Sequence, residues 1–135
     1  MTSAMLKPDH TARRRYDLFT DEHEDLRASV RRFVATELTP NIEEWEATTF
    51  PDSVFRQLGE CGFLGLDKPE EYGGQGGDFL SALILCEELY YGANGGLAMG
   101  VGVQTDMAMP PILAFGTEEQ KRRWAEPAIR GEKIL

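Results

Sequence analysis

The chain has 135 residues, 41% apolar and 27% charged, and its 23 acidic and 14 basic side chains leave a net charge of −9. That length holds one domain with a real core, not two, and the composition excludes a disordered or fibrous chain. The acidic balance excludes nucleic acid as the main partner, because phosphate binding needs surplus Lys and Arg, and no apolar run is long enough to span a bilayer.

Residues 1–15 are polar, end in Arg13-Arg14-Arg15 and lack the apolar stretch of a secretory signal. They read as a flexible leader on a cytoplasmic protein, with the Arg cluster as solvated tail. Residues 16–135 contain no repeat and no internal linker, and form one domain.

The first helix carries Leu26, Val30, Phe33, Val34 and Leu38 on one face. Thr20 or Asp21 caps it, and Asp21, Glu22 and Glu24 suit the positive end of its dipole. Pro40 has no N–H, so it kinks this helix or starts a fresh turn with Ile42 and Trp45 inward. Pro51 opens a second helix with Val54, Phe55 and Leu58 inward, and Gly62 stops it. Asp67 to Asp78 holds Pro69 and four glycines, and is a loop.

Asp78 then caps a third helix whose apolar residues, Phe79, Leu80, Leu83, Ile84, Leu85 and Leu89, cover most of its circumference. Such a helix is buried in a larger body or by a partner. Asn94-Gly95-Gly96 breaks it. Leu97 to Met109 fits helix or strand by pattern, and its length favours helix. Pro110-Pro111 can kink it before Gly116 ends it. Thr117-Glu118-Glu119-Gln120 is a capping box, opening a last helix with Trp124, Ala125, Ala128 and Ile129 inward, weakened at Pro127 and closed by Gly131. The ending Glu132-Lys133-Ile134-Leu135 reads as an element cut at its beginning.

Catalytic machinery is scarce. No nucleophile elbow, Walker loop or paired-histidine zinc helix is present. Cys61 and Cys86 have no CxxC spacing and read as small buried hydrophobes. With only His10 and His23 beside them, no zinc set exists. His23 is a surface or capping histidine. Of the acidic pairs, Glu87-Glu88 stands out because its helix is so apolar, and one of the two is expected to be half-buried against a basic partner. Gly73-Gly74-Gln75-Gly76-Gly77 could cradle a phosphate, but lacks a preceding strand and a GK[ST], so a flexible connector is the default. Met99, Met107 and Met109 are packing residues by default, with Met107 evenly balanced between packing and a pocket. Asp106, a carboxylate in an apolar segment, must be paired, protonated or facing a polar cavity.

Three ordered blocks resemble the acyl-CoA dehydrogenase family. Cys61-Gly62-Phe63-Leu64-Gly65-Leu66, running into Pro69-Glu70-Glu71-Tyr72 and the glycines to Gly77, is similar to its "GLLG…PEEYGGxGG" loop. Glu87-Glu88-Leu89 follows on the third helix. Pro111-Ile112-Leu113, then Phe115 through Lys121, with Trp124 and Gly131-Glu132, is similar to its "PIxxFGTEEQKxxWLPxxxxGE" segment. Gln104-Thr105-Asp106 resembles the "HSD" form of bacterial members likened to long-chain enzymes, with Gln104 in place of the His.

The resemblance implies an all-α fold: the helical N-terminal domain of the acyl-CoA dehydrogenase fold, cut before the middle β-domain. It implies FAD-dependent α,β-desaturation of an acyl-CoA or acyl-carrier thioester, in which a glutamate base takes the α-proton and flavin N5 the Cβ hydride. It further implies an electron-transfer flavoprotein or similar acceptor, and a homo-oligomer, usually a tetramer. The base and the "TEP…GSD" flavin segment fall outside these 135 residues, so no catalytic residue is assigned here and the chain alone is expected to hold no FAD. Its expected share is a wall of the acyl pocket, from Gln104, Thr105, Asp106, Met107 and Met109, with Tyr72 to Gly77 near the substrate mouth. Two other readings stand beside it: a carrier-protein-linked dehydrogenase or flavin oxidase of the same superfamily, and a catalytically silent helical interaction module.

Overall fold

Helix α1 (Asp21–Phe33) starts with a reciprocal cap: Thr20 Oγ1 accepts the His23 N–H, and His23 Nδ1 accepts the Thr20 N–H at 3.0 Å. A histidine thus fills the role usually taken by Glu or Gln. With Nδ1 accepting, the ring proton sits on Nε2, which donates to Asp78 Oδ1 at 2.9 Å. Asp78 in turn caps α4 (Phe79–Gly92) by accepting the Ser81 N–H. The starts of α1 and α4 are therefore tied together. The computed structural model describes residues 18–135 of the chain, so the leader and its Arg cluster lie outside the described residues.

The His23 hydrogen bond, then that of the Ser81 N–H, holds the Asp78 carboxyl below its ordinary 3.8. Its stabilising contribution is present above that pH and lost as pH falls through the lowered native value. Asp78→Ala removes a cap and the link to α1 together, and is expected to cost about 1–2 kcal/mol in urea unfolding at neutral pH.

Along α1 and α4 an ion network joins the two helices. Glu88, 3% exposed, accepts from Arg31 Nε at 2.9 Å and from Arg27 Nη1 at 3.2 Å, and Arg27 also donates to Glu87 at 2.6 Å. One of the two acids is buried against basic partners, as its apolar helix suggested.

Pro40, Pro110 and Pro127 each follow a wide π turn, Val34–Leu38, Val103–Ala108 and Lys121–Ala125 respectively. In each, the residue just ahead of the proline donates its N–H to a carbonyl five positions back: Thr39 to Val34, Met109 to Gln104, Glu126 to Lys121. A proline ring clashes with the carbonyl four residues earlier and offers it no N–H. A turn carrying one extra residue relieves that clash and lets the chain continue. Helices α6 (Met109–Phe115) and α8 (Glu126–Ile129) follow directly, whereas α2 (Ile42–Ala47) follows a 3-10 turn, Thr39–Asn41, which holds Pro40 and is the fresh turn expected there.

Helix α3 (Ser53–Glu60) buries Val54, Phe55 and Leu58 and stops at Gly62, whose φ is 77°. Helix α5 (Gly95–Gly102) starts at the Asn94 cap, which resolves the stretch from Leu97 as helix. Thr117 and Gln120 form the expected capping box of the short α7 (Glu118–Gln120). No strand occurs among the described residues. The core joins Val30, Val34 and Leu38 with Leu58, Leu89 and Val101, all at most 2% exposed.

Candidate functional site

The segment expected to line an acyl chain lies in the wide turn Val103–Ala108, between α5 and α6. The extra residue in that turn divides the five predicted positions. Gln104 and Met109 are 1% and 0% exposed and Thr105 is 7% exposed, its hydroxyl donating to the Val101 carbonyl. Asp106 and Met107 face outward, Met107 with 64% exposure. Asp106 thus lies at the surface, not inside an apolar interior.

Met99, Val103 and Met107 are all exposed and recur four residues apart, so they form one apolar stripe. Met99, expected to pack, lies outside the core, as does Met107, balanced by sequence between packing and a pocket, while Met109 is packed inside as expected. Helix α4 shows a second stripe through Phe79, Cys86 and Tyr90, with Phe79 74% exposed. Partial burial pushes the Cys86 thiol up, and the charges of Asp106 and Glu87 add to that. A helix apolar all round has therefore buried only one side, through Ile84, Leu85 and Leu89.

Both cysteines are exposed, which corrects the expectation of buried hydrophobes. Their apolar neighbours, Phe63 and Leu64 in one case and Ile84 and Leu85 in the other, point inward. Cys86 follows Ile84 and Leu85 on one helix and falls on its other side, and Cys61 is separated from Phe63 and Leu64 by the left-handed Gly62.

The glycine loop connects to α4 as a tied-down segment, and it is not a phosphate cradle. The N–H groups of Gly73, Gly74, Gln75, Gly76 and Gly77 donate to the carbonyls of Glu70, Pro69, Gly65, Lys68 and Leu66 in turn. No N–H in the run is left for an anion. A Cβ on Gly74 would lie 2.1 Å from the Lys68 carbonyl oxygen, so the close approach of these two backbones requires glycine there. Tyr72 anchors the loop from below, its hydroxyl donating to Glu118 at 2.7 Å while the Arg122 guanidinium lies 4.6 Å from its ring centre. The Glu118 hydrogen bond, with burial, pushes the Tyr72 phenol up to about 12, so it remains a donor at neutral pH. Sequence reasoning missed this lock, and also missed which arginines meet Glu88.

The family model described as acyl-CoA dehydrogenase, N-terminal domain, matches residues 20–132. The chain belongs to this family. The all-α N-terminal domain is similar to the 3-(aryl)acrylate reductase of Clostridium sporogenes, at 35% identity over 87% of this chain and 31% of that protein. It is also similar to the rat short-chain specific acyl-CoA dehydrogenase, at 37% identity over 84% of this chain and 28% of the relative. Among solved structures, a glutaryl-CoA dehydrogenase from Mycobacterium smegmatis in complex with FADH2 superposes with a TM-score of 0.80 at 35% identity, covering 86% of this chain and 30% of that one. The N-terminal domain thus spans about three tenths of the length of these relatives.

Proposed function

We propose that this chain, with residues 16–135 as one helical domain, serves an FAD-dependent acyl-CoA dehydrogenase as one wall of the acyl pocket. The observation that carries the reading is the outward apolar stripe of Met99, Val103 and Met107, set on a wide turn whose inner residues are locked in the core. In this reading Asp106 and Met107 form the contact face of the segment, and Gln104, Thr105 and Met109 support it from behind. A rigid backing suits the task, because a pocket wall discriminates acyl chains only if it does not yield. The substrate is an acyl-CoA or acyl-carrier thioester, the electron acceptor an electron-transfer flavoprotein or similar carrier, and the assembly a cytoplasmic homo-oligomer.

FAD supplies the hydride acceptor when bound. The glycine loop, whose composition suited a diphosphate, has every N–H committed and does not fit that group. The loop is accordingly given no part in holding the flavin, and this chain's work is to shape and dry the acyl site.

Met107→Trp tests the assignment. Each methylene in an apolar pocket is worth about 1–3 kcal/mol of discrimination. Filling the distal space should lower kcat/KM for long acyl-CoA substrates by orders of magnitude in the complete dehydrogenase carrying this chain, and spare short ones. Because Met107 is exposed in this domain, the melting temperature of the 135-residue chain should not move. Equal loss for all chain lengths would remove Met107 from the pocket.

A further inference from the structure

Gln104 is the most deeply buried polar side chain among the described residues, at 1% exposure. Its Nε2 donates to the Lys133 carbonyl at 2.8 Å and makes a longer contact, 3.4 Å, with that of Ala128. Its Oε1 accepts the Leu135 N–H at 2.9 Å. A carbonyl and an N–H two residues apart are a pair that one amide grips with both of its polar atoms, as a neighbouring backbone would. Meanwhile the Gln104 backbone carbonyl accepts the Met109 N–H and so closes the wide turn. One residue thus holds the turn with its main chain and residues 133–135 with its side chain. Asp106 and Met107 lie two and three positions further on, on the opposite face.

We propose that Gln104 is a positioning residue that couples the outward face of Asp106 and Met107 to the segment Lys133–Leu135, so that the two move as one body. A buried amide is destabilising unless satisfied. The turn and the terminal segment must therefore adopt their positions together. The functional meaning of the coupling rests on the reading of Asp106 and Met107 as acyl contacts, but the coupling itself is a property of this chain.

The test is by amide and methionine-methyl NMR on the 135-residue chain, comparing Gln104→Leu, a chain shortened to end at Glu132, and the two combined. In Gln104→Leu the Leu135 amide should exchange about five- to tenfold faster, the equivalent of one lost hydrogen bond. The Met107 methyl and Asp106 amide signals should shift in the same direction in both single variants, with no further shift when they are combined. Unmoved Met107 and Asp106 signals in the shortened chain, or shifts that simply add in the double variant, would overturn the coupling. The shortened chain keeps Gln104, so it decides the question even if the leucine variant fails to fold. No substrate is involved. A flat chain-length profile for Met107→Trp would therefore reject the acyl reading and leave this result standing, and the reverse holds equally.

Discussion

Glu88→Ala is expected to destabilise the domain by about 3 kcal/mol, the low end for breaking a buried ion pair. The value lies at the low end because the partners are not fully stranded. Arg27 keeps Glu87 at 2.6 Å and Glu24 at 3.5 Å, and the Arg31 side chain is 37% exposed and can reach water. The direct measure is the urea midpoint of the variant at neutral pH, with an unchanged midpoint counting against the network. The surface pair Arg130–Glu126 serves as a control, since solvent screens it too well for its loss to register. Glu88 also gives the pH dependence a sign. Burial opposes its charged form, but the hydrogen bonds and charges of Arg31 and Arg27 outweigh burial and hold it below its ordinary 4.5. Its contribution is therefore complete above that pH and disappears as pH falls through the lowered native value. Wild-type stability should fall more steeply below about pH 4 than that of Glu88→Ala.

Gly131→Ala should be at least as damaging, at about 3 kcal/mol or more. Gly131 has φ of 72°, and an added Cβ would lie 2.0 Å from the Phe55 carbonyl oxygen and 2.6 Å from its carbon. The left-handed backbone costs an alanine about 1–2 kcal/mol, and overpacking adds about 1–3 kcal/mol. The obstruction is main chain, so no side chain can swing aside, and the turn after α8 must lift from α3. Gly95→Ala is the matching control. Nothing lies within 4 Å of the added methyl, and alanine in place of an open helical glycine should stabilise by about 0.5–1 kcal/mol. Thermal unfolding of the two variants, side by side, separates a packing glycine from a merely helical one.

Much of this domain was legible before any coordinates. Thr20, Asp78 and Thr117 cap helices because a short polar side chain reaches an N–H three residues on. Gly62 and Gly131 stop them because a left-handed backbone favours glycine. Those are local facts, decided within a few residues, and so is the apolar periodicity that placed Val30, Val34, Leu38 and Leu58 in the core. The three ordered blocks that resemble the acyl-CoA dehydrogenases are also properties of the sequence alone.

What only the tertiary structure decided is which groups meet one another. The glycine loop spends its N–H groups on carbonyls from Gly65 to Glu70, a pairing that composition does not encode. Cys86 faces outward because α4 turned its other side to α1. Glu88 finds Arg27 and Arg31 some sixty positions earlier, and Gln104 finds Lys133 and Leu135 about thirty positions later. A buried polar group must be satisfied, but the sequence near it does not say by whom. That choice belongs to the packing of whole helices, which brings distant donors and acceptors within 2.8–3.2 Å of one another.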